Sequence, residues 1–133
     1  MQHIREVKNL VEIREADKKI QKELNAGTTA VVLLSILDRA VSPMYGYQIA
    51  RHIETSIEDM PMTQGALYPI LRSLESSGLL ESEVEPSISG PPRRYYKITE
   101  SGHETLKRWT EIWSQTKIFV DTILEGEHDD TEY

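Results

Sequence analysis

Two arginines ahead of two tyrosines, in "RRYYKI" at 93–98, and two tryptophans one helical turn apart, Trp109 and Trp113, are the groups in this chain best suited to chemistry. That chemistry is non-covalent. Guanidinium forks hold phosphates and base edges, and indole faces hold flat or cationic ligands. There is no cysteine, so neither a reactive thiolate nor a disulfide framework is available. The histidines, His3, His52, His103 and His128, have no partner at metal-ligand spacing, and "HDD" at 128–130 reads as solvated tail before it reads as a weak divalent site. No nucleophile–base arrangement or glycine-rich phosphate loop is legible. We therefore expect no catalytic residue, no metal and no cofactor. The chain reads as a binding protein rather than an enzyme.

The element that must present such groups is written in "GALYPILRSLESSGLLES", residues 65–82. Leu67, Ile70, Leu71 and Leu74 recur at helical spacing, with Thr63 as N-cap, a helix over residues 64–77, and Gly78 as the C′ residue. Leu79 stands where it can touch Leu74 in a Schellman ending. At 100° per residue the opposite face is Gly65, Pro69, Arg72, Ser73 and Ser76. It is small and smooth, with one cation, unlike the long charged cover of an ordinary solvent-facing helix. Pro69 falls in the second turn and costs one bond, to Gly65, near the helix start. Such a face suits close approach to a partner.

Residues 80–85 alternate Leu80, Ser82 and Val84 against Glu81, Glu83 and Glu85, a strand pattern that returns in 93–98 after a Gly90-Pro91-Pro92 tip. Pairing 85 with 93 places 83 opposite 95 and 81 opposite 97. Glu85 then meets Arg93, Glu81 meets Lys97, and Arg94, pointing the other way, stays open for a phosphate. Helix, helix and basic hairpin is the order of a winged helix-turn-helix, whose second helix enters the DNA major groove. Tyr45, Tyr47 and Tyr68 fit either core and hinge positions or DNA contacts.

The flanking elements are helical. Residues 3–24 form an amphipathic helix ended by Asn25 and Gly27, and Thr28 or Thr29 caps an almost wholly apolar, buried helix over 30–39. The next helix starts past Pro43 and Gly46 and runs through Ile49, Ala50 and Ile53, before the loop "SIEDMP". Thr99 caps a last helix from residue 100 to about 124. Its Leu106, Trp109, Trp113, Thr116, Val120 and Ile123 step by three and four, a heptad seam that needs a partner helix. The partner is the same helix of a second subunit or the N-terminal helix. Leu106, Trp109 and Trp113 read first as dimer core and second as a slot for a flat aromatic ligand.

The net charge of −7 sits awkwardly with nucleic-acid binding, yet the last nine residues hold five of the 22 acids and no Lys or Arg. Without them 15 bases face 17 acids, or −2. Local placement then matters more than the total. The longest apolar run, at 30–37, is too short to span a bilayer, and no secretion signal opens the chain, which fits the cytoplasm. The expected organisation is an N-terminal helix over 1–27, a DNA-binding domain over 28–99, a dimerisation helix over 100–124 and an acidic disordered tail over 125–133.

"MYGYQIA" at 44–50, "GALYPILRSLESSGLLES" at 65–82 and "GPPRRYYKITESG" at 90–102 resemble, in order, the PadR family of transcriptional regulators. The likeness spans about residues 28–102. It implies a dimeric winged-helix repressor of operator DNA whose C-terminal helices help form the dimer, with Leu67, Tyr68 and Pro69 on the recognition helix. It also implies aromatic or cationic effectors. Ala66 departs from the polar residue common there. The expected fold is mainly α with a small β-hairpin: a winged helix-turn-helix between N-terminal and C-terminal dimerisation helices. The expected DNA-contacting residues are Thr63, Gln64, Gly65, Ala66, Tyr68, Pro69, Arg72, Arg93 and Arg94. Expected partners are double-stranded operator DNA, a second copy of the chain and a small aromatic effector, with no membrane. The rival reading is a winged-helix protein-interaction subunit that no longer binds DNA.

Overall fold

The structure is a computed structural model that describes residues 2–56 and 64–126, with side chains over 14–54 and 65–126. Thr63, most of the "SIEDMP" loop and residues 127–133 lie outside the described residues.

Helix α1 runs unbroken over Gln2–Arg39. This corrects the expected stop at Asn25–Gly27. Gly27 keeps a negative φ, because Gly78 and Gly126 alone among the described residues turn positive. The Thr28 and Thr29 hydroxyls donate back to the carbonyls of Leu24 and Asn25, at 3.0 and 2.6 Å, instead of accepting a cap bond. Prolonging a helix adds a bond per residue fixed, whereas ending one and nucleating another repeats the costly first turn. That advantage outweighs the roughly 1 kcal/mol a mid-helix glycine costs relative to alanine. The far end of α1 supplies Leu33, Leu34 and Leu37 to the core, while Val32 stays exposed, so this stretch is buried on one side only.

A two-residue strand, β1 (Met44–Tyr45), separates α1 from α2 (Gly46–Ser56). It is too short to show a period, and sequence patterning missed it. Helix α2 buries Ile49, Ala50 and Ile53. Gly46 opens it against Tyr68, where a Cβ would come within 2.9 Å of the phenol oxygen. Helix α3 (Gln64–Ser76) buries Leu67, Leu71 and Leu74 and half-buries Ile70. Its end is the expected Schellman motif. Gly78 has φ +78°, its N–H donates to Glu75, and the Leu79 N–H reaches back to Leu74, both at 2.9 Å.

Strands β2 (Leu80–Ser87) and β3 (Gly90–Ile98) make the hairpin, and β1 adds to the far side of β3, giving the antiparallel order β1-β3-β2. Glu81 faces Lys97, Glu83 faces Tyr95 and Glu85 faces Arg93, the register read from alternation. Tyr96 is buried and Leu80 joins it, closing one core with α1, α2 and α3.

Helix α4 (Glu100–Glu125) starts at a corner held from both sides. The Thr99 hydroxyl accepts the Gly102 N–H at 3.0 Å and donates to the Gly78 carbonyl at 2.7 Å. The Thr99 N–H donates to Leu79 at 3.1 Å. Gly102 lies so close that a Cβ would stand 2.1 Å from the Leu79 carbonyl oxygen, which only glycine permits. Further along, His103 Nδ1 pairs with Asp38 Oδ1 at 2.6 Å, tying α4 to α1. Leu106 is buried in the core and Trp109 packs against it. Beyond Trp109 the helix stands clear of the body, and every residue from Thr110 to Val120 is exposed.

Candidate nucleic-acid interface

Helix α3 leaves one face uncovered. Gly65, Ala66, Pro69, Arg72, Ser73 and Ser76 are exposed, while the leucines of the same helix are buried. The face carries no large apolar side chain, so its exposure forfeits little hydrophobic burial. Its backbone lies shallow beneath small side chains, as close docking requires. Gln64 begins the helix at one end of this face. Tyr68 sits at the edge, half-buried, with its ring against Gly46, where it spaces α2 from α3.

The hairpin's two faces differ in charge because alternation sorts its residues. Ser82, Val84, Arg94 and Tyr96 share one face, and Ser82 meets α3. Ser82 Oγ donates to Glu75 Oε2 of α3 at 2.5 Å and accepts from Arg94 Nη1 at 3.0 Å. Burial pushes the Tyr96 phenol above its ordinary range, and the neighbouring Glu75 carboxylate adds to the shift while Arg94 opposes it. The other face holds Glu81, Glu83, Glu85, Arg93, Tyr95 and Lys97. Glu81 and Lys97 form the expected ion pair at 3.0 Å, and that bond holds the Lys97 ammonium above its usual range. Both side chains are more than half exposed, so the pair adds little stability.

Both wing arginines are engaged within the subunit, each differently from expectation. Arg93, paired in register with Glu85, instead lays its guanidinium over the Tyr45 ring, 4.5 Å from the centroid. Tyr45 stacks on Tyr47 at 6.2 Å and meets Tyr95 edge-on at 5.4 Å. Arg94, expected to stay open, is the one hydrogen-bonded inside the wing. For Arg93 the physical reason is β1. By pairing Tyr45 with Tyr95 it brings a half-buried aromatic face within reach of Arg93, which lies over that ring rather than against the exposed Glu85. Arg94 nevertheless remains exposed, on the side of the hairpin that continues the α3 face.

On α4 the expected seam divides. Leu106 and Trp109 turn into the subunit's own core, whereas Trp113, Val120 and Ile123 remain 44–47% exposed, alongside Ile112 and Phe119 at 59% and 66%. Sequence reasoning overlooked the Tyr45–Tyr47–Tyr95 cluster, for which the only signal was tyrosine density around Pro43. It also missed the approach of α1 to α3, where a groove of about 540 Å³ lies between Lys18, Lys22, Ala66 and Ile70. Among the described residues no cluster of His, Asp or Glu has metal-site geometry, and no helix is long and apolar enough to cross a membrane.

Comparison with known proteins agrees with this architecture. A PadR-family transcriptional regulator from Eggerthella lenta superposes with a TM-score of 0.69 at 29% identity, covering 90% of this chain and 99% of its own. A PadR-like regulator from Bacillus cereus gives 0.63 at 25% identity over 77% and 96%. One from Clostridium difficile gives 0.60 at 26% over 73% and 98%. The transcriptional regulator PadR-like family model matches residues 33–108, from the buried end of α1 through the wing to the first turns of α4. The uncovered face of α3, the hairpin beside it and this match together make the chain a member of the PadR-like family of transcriptional regulators.

Proposed function

We propose that the chain binds double-stranded operator DNA as a homodimer and represses transcription in the cytoplasm. In this reading α3 lies in the major groove and Gly65, Ala66, Pro69 and Arg72 face the bases, with Thr63 and Gln64 proposed as further DNA contacts. Arg94 of the wing sits over the phosphate backbone, while Arg93 stays on the opposite wing face against Tyr45. The observation that carries the reading is the α3 face itself, small, exposed and flanked by Arg94. An α-helix fits the roughly 12 Å major groove when its outer side chains do not hold it away. Arg72, the face's one cation, suits a bidentate contact to guanine.

Dimerisation is supported by the bulky side chains left open on α4, Ile112, Trp113, Phe119, Val120 and Ile123. Two copies joined there would present two recognition helices to half-sites about one helical turn apart. In the same proposal, release follows when a small flat aromatic compound enters the seam beside Trp113. The acidic wing face, with Glu81, Glu83 and Glu85 together, favours the second reading, a protein-interaction subunit. That face is turned away from α3, so it does not oppose a duplex lying there. The test is to recover genomic fragments, the gene's own upstream region included, on purified protein, and then titrate the recovered duplexes. Enrichment of a discrete two-fold sequence supports the operator reading. Recovery of no fragment above an unrelated acidic protein, across a range of salt, rejects it in favour of the protein partner.

A further inference from the structure

The α3 face has two flanks, and the wing covers only one of them. At 100° per residue the outer face centres near Pro69 and Ser76. Glu75, which holds the wing through Ser82, lies about 100° to one side. Ala66 and Ile70 lie about as far to the other side, and there they border the groove shared with α1. A helix seated in a major groove has a phosphate backbone along each flank. The wing, through Arg94, addresses one of those backbones. With a net charge of −7 and a single cation on α3, something must address the other.

Helix α1 carries a suitable stripe. Arg14, Lys18, Gln21, Lys22, Asn25 and Thr29 fall within a sector of about 100°. The acids of the same stretch, Glu15, Asp17 and Glu23, fall outside it. Lys18, Gln21, Lys22 and Asn25 line the groove opposite Ala66 and Ile70. Lys18 approaches Glu15 at 3.7 Å, but both are over 70% exposed, a screened pair worth little and readily given up. These residues lie outside the stretch that matches the family, residues 33–108.

We propose that Lys18 and Lys22 form a second phosphate-binding element, gripping the DNA backbone on the side of α3 away from the wing. The inference rests on the operator reading and adds a clamp to it. α1 then serves as more than a scaffold: its unbroken course through Gly27 carries the lysines alongside the recognition helix. Contacts of this kind raise affinity for any sequence and leave discrimination among sequences unchanged.

The experiment uses the full chain and a fluorescein-labelled mixed-sequence duplex of about three helical turns, long enough for two half-sites. Anisotropy titrations over a range of salt compare the wild type, Lys18→Gln/Lys22→Gln, Lys19→Gln and Arg94→Ala. The lysine pair should lower the slope of log K against log salt by about 0.9 for each lysine removed, counted over the subunits bound. Lys19→Gln, outside the stripe, should leave the slope in place. Helical circular dichroism of the double variant should match the wild type, since the changed positions are exposed and glutamine is a good helix former. An unaltered slope for the lysine pair, where Arg94→Ala does lower it, overturns the clamp and leaves the operator reading standing. A loss that sedimentation traces to dimer dissociation overturns it too, by assigning the groove to a second subunit. A wild type with no salt-dependent binding overturns the operator reading and the clamp together.

Discussion

The outer face of α3 and the open face of α4 are both exposed, yet they are built oppositely. On α3 the exposed positions are glycine, alanine, proline, serine and one arginine. On α4 they include Ile112, Trp113, Ile118, Phe119 and Leu124, with the last 78% exposed. Exposure alone therefore identifies neither surface; side-chain volume does. A wet, charged groove rewards shallow cover and a few directed donors, because its partner stays hydrated. A dry helix seam rewards area, because its gain scales with apolar surface removed from water. The contrast also explains why α4 leaves the body after Trp109. Its first three turns, through Leu106 and Trp109, complete the core, and the remainder adds no residue to it.

Four substitutions, and a fifth as control, test that contrast. The largest effect is expected on the α4 side, where Trp113→Ala removes a bulky ring from the proposed seam and should cost about 3–5 kcal/mol of dimer stability. Sedimentation equilibrium reads it directly. A dimer of unchanged stability that no longer shows fluorescence quenching by planar aromatic cations would move Trp113 from seam core to effector site. Next is Gly102→Ala at the joint between the two regions. Its methyl would enter the Leu79 carbonyl, and the strain should lower folding stability by about 3 kcal/mol in a urea unfolding series. A shift within error would mean that α4 can slide at its first turn without disturbing α3.

On the α3 side the effects are smaller and specific. Arg72→Ala should reduce discrimination between operator and mismatched duplex by about 1–3 kcal/mol, with folding stability unchanged. An equal loss on all duplexes would recast Arg72 as a backbone contact. The smallest effect belongs to Arg94→Ala, which should flatten the salt slope by about 0.9 per bound subunit. Ser82→Ala is its control: it removes the hydrogen bond that Arg94 donates and keeps the charge, so its slope should match the wild type. If both variants lose affinity alike, Arg94 acts by holding the wing against α3 rather than by meeting phosphate.

Whatever depends on residues near one another in the chain can be read without the fold. The buried stripe of α3, the Gly78 ending, the Thr99 cap and the hairpin register from Glu81–Lys97 to Glu85–Arg93 were all legible. Each is fixed by a period or by a bond spanning a few residues, and a register slip would turn Tyr96 out of the core. The rest waits on packing between distant segments. Gly27 reads locally as a stop, yet α1 runs through it and carries Leu33, Leu34 and Leu37 into the core. What Arg93 packs against depends on a two-residue strand some fifty positions earlier, which offers it a tyrosine face. The approach of Lys18 and Lys22 to Ala66 has the same origin. Local hydrogen-bond stereochemistry chooses elements, but side chains choose partners only once distant segments have packed.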